Sequence, residues 1–295
     1  MRVLILGSSG FIGRHVAREC AARGHTVEGW SRKPRGGGNG LVERAVDLLD
    51  PRACQDLRSS FDAALLLAGA SVPGENFDAA AAENNALIAR HALTHLANFS
   101  QSARVIVMSS AHVYGSSGDA ETIDESRTLS PNGLYGASKL AVERIAHEFE
   151  SDLDSVIVRS FNQIGPDMPR GLLVPDLLAA LTSGTGPVMM RGSDGVRDFL
   201  DVRDGARALT DLLEARVARG TVLNLCSGRG VSISSLAADL ARGLGIERPI
   251  RFAGRSPLPF VGNRTALTRA TGFVPEIPLA TTVEWIAGSE NPRKR

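Results

Sequence analysis

Short apolar runs recur along the first half of this chain, separated by longer stretches in which apolar residues return with helical spacing. Arg2–Leu6 is apolar to its end and stops at a glycine, the pattern of a central strand buried on both faces. The spacing predicts a helix over Phe11–Arg23, closed by Gly24 just past its end. Thr26–Trp30 reads as a second strand and Arg35–Gly40 as a glycine-rich loop. Ala63–Ala68, Val105–Ser109 and Ser155–Arg159 read as further strands, with helices over Ala79–Phe99 and Tyr135–Glu150. Strands alternating with helices predict an α/β fold built on a doubly wound parallel sheet.

From Asn162 onward the pattern changes. Prolines and glycines crowd the stretch Gly165–Pro187, and only Val222–Leu225 looks like one more strand of the sheet. The expected organisation is a dinucleotide-binding domain over 1–161, rejoined by a segment near 196–227, with 162–295 forming mostly a smaller substrate lobe. No internal repeat is visible.

Composition narrows the possibilities. At 295 residues and 43% hydrophobic, the chain can bury a large core. A net charge of +1 argues against nucleic acid or a membrane surface as partner. Cys20, Cys54 and Cys226 fit no disulfide or CxxC pattern, so reduced thiols in a cytoplasmic protein are expected. No apolar run reaches membrane-spanning length, and the first strand begins too close to Met1 for a signal peptide. The basic tail Pro292–Arg295 reads as a frayed terminus.

Candidate chemistry starts at the end of the first strand. Gly7, Gly10 and Gly13, with Phe11 and Ile12 between the last two, form GxxGxxG between a strand and a helix. In that setting the first glycine permits the tight turn and the second lets a pyrophosphate approach the helix N-terminus. The third allows close packing of helix on strand. Dinucleotide binding on a Rossmann sheet follows. An acid at the end of the second strand would serve a ribose hydroxyl; Ser31 and Arg32 stand there instead, followed by Lys33. Serine and guanidinium accommodate a 2′-phosphate, so NADPH is expected over NAD, although Arg32 and Lys33 also suit an ordinary exposed loop. Glu28 lies too early to supply the acid unless the register slips. Asp47 and Leu48 are placed to meet an adenine ring or to form a solvated turn.

Tyr135 and Lys139 are four apart, hence on one helix face. An ammonium beside a phenol lowers its pKa, and such a tyrosine can exchange a proton with an alcohol or ketone. YxxxK alone is common; here it follows the glycine motif and the pair Ser109–Ser110 at a strand end.

In order, Gly7–Gly13, Leu67–Ala70, Asn85, Ser109–Gly115, Tyr135–Lys139, Arg159–Pro166, Arg197–Asp204 and Asn224–Gly228 resemble the motifs of the extended short-chain dehydrogenases/reductases, the nucleotide-sugar epimerases, dehydratases and reductases. The resemblance implies that Ser110 bonds the reacting oxygen, Tyr135 is the general acid and Lys139 holds the nicotinamide ribose. Ala68 and Gly69 would line the cofactor. Asn162 would touch the sugar nucleotide, and Arg197 would grip its diphosphate unless it pairs with Asp198. Arg255 matches a second phosphate-binding arginine, and Asn85 a supporting residue. Sugar 4,6-dehydratases carry Asp-Glu where this chain has Ala111 and His112, which argues against dehydration; His112 remains a candidate substrate donor. Arg159–Pro166 and Ala270–Leu279 are similar to GDP-4-keto-6-deoxy-mannose reductases, although Asn263 and Ala266 depart from that pattern. The implied activity is reduction of a nucleotide-linked 4-keto-6-deoxyhexose. A 4-epimerase with bound NAD and a non-catalytic NADP(H)-binding protein are the alternatives. Family resemblance also implies a homodimer through the helices Ala79–Phe99 and Tyr135–Glu150.

Overall fold

The N-terminal apolar run forms β1 (Arg2–Leu6), and in the computed structural model its last four residues are fully enclosed. The structure describes residues 1–290 except 37, 39, 56–58, 72–76, 116–121 and 255–258. The basic tail and Arg255 therefore lie outside the described residues. After α1 (Phe11–Ala22) the chain turns at Gly24, whose φ of +81° lies in the region that glycine enters without strain. It then enters β2 (Thr26–Ser31), β3 (Leu41–Ala45) and the short α2 (Pro51–Gln55). Crossing to the other side of β1 come β4 (Ala63–Leu66), α3 (Ala79–Phe99), β5 (Arg104–Ser110), a 3-10 turn at Ala111–Tyr114, α4 (Gly133–Glu148) and β6 (Asp154–Ser160).

The chain then leaves the sheet through β7 (Asn162–Ile164), α5 (Leu173–Thr182), β8 (Val188–Ser193) and β9 (Val196–Asp201). It returns through α6 (Val202–Glu214) and adds β10 (Thr221–Leu225), completing a seven-stranded parallel sheet of order β3-β2-β1-β4-β5-β6-β10. The lobe is finished by β11 (Gly230–Ser232), α7 (Ile233–Leu244), β12 (Ile250–Gly254), α8 (Thr265–Thr271) and α9 (Leu279–Glu290).

Strand alternation divides the core in two. Val3 and Ile5 meet Val16 and Cys20 of α1 and Leu209 and Leu212 of α6. Leu4 and Leu6 meet Leu93 and Leu96 of α3 and Val142 and Ile145 of α4. Each such leucine contributes roughly 1.5–3 kcal/mol by leaving water. All three cysteines are buried and free, and burial pushes the Cys20 and Cys54 thiols up to about 11.

The second half holds more strands than the single one expected at Val222–Leu225. It contains two small sheets, β11-β9-β7 and β12-β8, whose strands are short and paired with distant partners, so no local period announces them. Three aspartates hold this half together. Asp198 is fully enclosed and accepts Ser227 N–H and Oγ–H, Gly228 N–H and Gly262 N–H. Asp201 accepts Arg203 and the Thr282 hydroxyl of α9. Asp204 accepts the backbone of Glu276 and Ile277.

The two tryptophans sit in different surroundings. Trp30 is fully buried between Phe61 and His95. Trp285 lies on α9 with the Arg203 guanidinium 4.0 Å above its ring and His15 of α1 edge-on at 5.9 Å. No helix among the described residues is long and apolar enough to cross a membrane.

Candidate active site

The ends of β4 and β5 and the first turns of α1 and α4 converge on one cleft. Gly7 and Gly13 of the N-terminal motif are required by close approach. A Cβ on Gly13 would lie 2.1 Å from the Gly7 carbonyl oxygen, and one on Gly7 (φ +95°) would lie 2.8 Å from Ala68 N. This packing draws the loop against Ala68 and leaves the N-terminus of α1 facing outward. Phe11 and Ile12 start that helix, with the Phe11 ring 6.0 Å from His15 and Ile12 against the sheet core.

Gly69, at φ +144°, leaves room for Asn85, whose Oδ1 would lie 2.7 Å from a Cβ there. Asn85 accepts Ala70 N–H at 2.7 Å and donates to the Ala70 carbonyl and to Ser138 Oγ. It thereby ties the loop after β4 to the turn of α4 that carries Tyr135 and Lys139.

Lys139 is buried, and its Nζ donates to the Met108 carbonyl at 3.3 Å, its one hydrogen bond among the described residues. Burial pulls its pKa down to about 8. Two of its N–H groups are thus left for a diol, which fits a nucleotide ribose. At the end of β2, the buried Ser31 Oγ also has no partner among the described residues. These orphaned groups and the glycine cradle match the polar, close-approaching shape of a dinucleotide.

Tyr135 stands edge-on to Phe77 and to His112, each ring at 5.3 Å, with Ser110 near enough to its hydroxyl to lower the phenol pKa. Here the sequence expectation needs correction. Burial raises the phenol pKa and the neighbouring Ser110 only partly offsets it; Lys139 does not take part. The four-residue spacing does put both on α4, but Lys139 turns to Met108, and desolvation disfavours the charge on each. Tyr135 is therefore protonated at neutral pH.

Ser110 Oγ lies 3.1 Å from His112 Nδ1 and accepts the His112 backbone N–H at 3.3 Å. Burial, then the nearby Arg197, lowers the His112 pKa, so the ring is neutral. Arg197 does not pair with Asp198, which is committed to its four N–H and O–H donors. Its Nη1 donates to the Val196 carbonyl, and it has no ion pair among the described residues. Burial lowers its pKa, the mark of a guanidinium short of solvent and of a counter-charge.

Other predicted residues are otherwise engaged. Asn162 Nδ2 donates to the Asp198 carbonyl at 2.8 Å, linking β7 to β9. Asp47 accepts Leu49 N–H in its own turn, and Leu48 packs in the core. Arg32 is exposed at the end of β2. Glu28 accepts Trp30 Nε1–H and Arg44, and stands three register steps short of the strand end at Ser31, so no slip rescues it as the ribose acid.

Sequence reasoning missed the support beneath the site. Glu143, one turn after Lys139, pairs with Arg159 of β6 through both oxygens, at 3.0 and 2.8 Å, and accepts the Ser109 hydroxyl at 2.5 Å. Arg159 also donates to Tyr114, which donates to Asn224 of β10. The signal was the repeat of spacing four, Tyr135–Lys139–Glu143, with an arginine inside an otherwise apolar strand.

A glycine cradle at β1, a Ser–Tyr pair at β5 and α4, and a buried lysine one turn on define a nicotinamide-dependent enzyme of the short-chain dehydrogenase/reductase class. Residues 3–226 match the NAD dependent epimerase/dehydratase family, and the chain belongs to that family. It is 29% identical to GDP-6-deoxy-D-mannose reductase of Pseudomonas aeruginosa, with 100% of this chain and 98% of that one covered. It is 27% identical to UDP-glucose 4-epimerase 2 of Arabidopsis thaliana, with 86% and 84% covered. The structure of RMD from Pseudomonas aeruginosa complexed with NADPH superposes with a TM-score of 0.82 at 28% identity, covering 97% of each chain. The UDP-glucose 4-epimerase of Bifidobacterium longum shares the fold at a TM-score of 0.86 and 21% identity, covering 100% of each chain.

Proposed function

We propose that this protein reduces the 4-keto group of a nucleotide-linked 4-keto-6-deoxyhexose with NADPH. The Arg197 guanidinium, which has no ion pair among the described residues, carries the reading. It shares the cleft with Ser110, His112 and Tyr135, and a partly buried cation without a counter-charge among the described residues suits a diphosphate. The likeness to a GDP-6-deoxy-D-mannose reductase over the full chain supports the same reading. When bound, the dinucleotide supplies the hydride.

The chain's own residues do the rest. Lys139 and the glycine loop hold the ribose and pyrophosphate. Ser110 and Tyr135 converge on the position of a carbonyl oxygen. Tyr135, kept protonated by burial, gives its proton to that oxygen as negative charge develops, and Ser110 donates a second hydrogen bond. Phe77 and His112 fix the phenol ring from two sides. Glu143 and Arg159 hold Ser109, and through it the end of β5. A phenol with a raised pKa suits delivery of a proton, hence reduction.

A second copy belongs to the proposal. The α3–α4 surface is braced by the bidentate Arg90–Glu148 pair and leaves Leu87 exposed on α3 and Leu134 on α4, a face for a homodimer. The cytoplasm, where buried thiols stay reduced, is the proposed location.

The test is oxidation of NADPH, beside NADH, with a panel of GDP- and dTDP-linked 4-keto-6-deoxyhexoses. Rapid NADPH oxidation with one base is the expected result, and Tyr135→Phe lowers turnover roughly 10²–10⁴-fold with cofactor affinity retained. No oxidation of either cofactor, with NAD carried through purification, overturns the reductase in favour of a 4-epimerase.

A further inference from the structure

Beside the glycine loop, between α1 and the β2–β3 connection, lies a pocket of about 580 Å³ whose walls include Ser8, Ser9, Arg14, Arg18, Arg35 and Glu43. Glu43 comes from β3, opposite Gly29 of β2. Its Oε1 accepts the Ser8 hydroxyl at 3.1 Å and its Oε2 accepts Arg35 N–H at 2.7 Å. Gly29 makes this possible, since a Cβ there would lie 2.5 Å from Ser8 Oγ. A carboxylate is thus locked under the loop that a dinucleotide must approach, one strand further out than the sequence rule looks for it.

The opposing charge is also in place. Arg14 is committed to the Pro166 carbonyl at 2.7 Å and to Asp167 at 3.4 Å. The Arg18 and Arg35 side chains have no ion pair among the described residues, yet both are close enough for their charges to act on Arg14. One pocket wall therefore holds an anchored anion and the other holds two cations with no ion pair among the described residues.

We propose that this pocket selects the cofactor: Glu43 favours a free ribose hydroxyl, Arg35 and Arg18 favour a 2′-phosphate, and their balance fixes the NADPH-to-NADH preference. The inference rests on the reading above only in taking a nicotinamide dinucleotide as the ligand. A carboxylate accepts a hydroxyl proton and repels a phosphate dianion, whereas a guanidinium does the reverse.

The experiment titrates NADPH and NADH separately into the purified full chain, by calorimetry and without any sugar. Glu43→Gln keeps the side-chain volume and an acceptor oxygen while removing the charge. It is expected to raise the affinity ratio of NADPH over NADH about tenfold, the effect of one charge at a partly solvated site. Arg35→Ala combined with Arg18→Ala is expected to lower the same ratio by a similar factor. Opposite shifts at equal thermal stability are what a merely structural role would not produce. An unchanged ratio in both variants, a shift in the same direction in both, or no binding of either dinucleotide by the parent chain overturns the inference. Opposite shifts in a chain that reduces no keto sugar leave the inference standing and remove the ketoreductase reading.

Discussion

The two halves of this molecule are held together by different physics. The sheet half is a stack of apolar faces: Val3, Ile5, Leu4 and Leu6 divide between two cores by strand alternation alone. The lobe half has an apolar core too, around Leu177, Leu236 and Ile286, but its loops are pinned by Asp198, Asp201 and Asp204. These three stand at intervals of three along β9 and the start of α6, and each reaches a different later segment. Apolar faces tolerate imprecision because they are non-directional. Carboxylates facing several N–H groups do not, and they suit a half that, in the proposed function, presents Arg197 to a substrate at a fixed place.

The largest effect that would break this contrast comes from Asp198→Ala. It orphans donors from Ser227, Gly228 and Gly262 together, and the expected loss is at least about 3 kcal/mol, since each buried unsatisfied group costs roughly 1–3 kcal/mol. Hydrogen exchange should rise first in the segments around 227 and 262 while β1 and β5 stay protected. Uniform loss of protection across both halves would show that the lobe is not separately pinned.

Lys139→Met sharpens the other side, where a charge is buried in the apolar half. The folded pKa of about 8 lies below the ordinary value of 10.5. Between those values the unfolded chain holds the proton more tightly, so the penalty is full below pH 8 and fades as pH rises toward 10.5. In urea denaturation of the cofactor-free protein, the variant should be more stable at pH 7 by up to about 3 kcal/mol, and the gain should shrink by pH 10. A gain independent of pH would mean that the lysine is not desolvated.

The smallest effect is Arg197→Ala. Because the guanidinium makes only one bond to its own chain, melting should shift little. KM for the sugar nucleotide should rise about tenfold, the scale of one lost charge-assisted hydrogen bond pair. A large drop in melting temperature with unchanged KM would assign Arg197 to the scaffold instead.

How much of this was legible follows the same division. β1 and α3 fall where periodicity places them, and the strands β2, β4, β5 and β6 differ from expectation by a residue or two at their ends, where assignments are least sharp. Ser110, Tyr135, His112 and Arg197 meet in one cleft because a motif at the end of a strand or the start of a helix inherits a defined position from the sheet. The aspartate anchors and Glu43 were not visible, and the Glu143–Arg159 pair showed only as a repeated spacing, since each depends on a partner from another element: Glu143 on Arg159, Glu43 on Ser8. The sign of the Tyr135 shift was missed for a related reason. Spacing says which residues share a face, whereas desolvation depends on everything that packs over it.

One feature of the seam between the halves has a practical side. The chain has only two tryptophans, and they occupy the two regions separately. Trp30 is sealed in the sheet with its Nε1–H on Glu28, in surroundings set by the core. Trp285 rests under Arg203 and against His15, on the wall of the pocket beside the glycine loop. Ultraviolet emission therefore carries two addresses in one spectrum. With Trp285→Phe the remaining signal follows the melting of the sheet, and the difference from the parent chain reports on the surroundings of the seam where α9 meets α1.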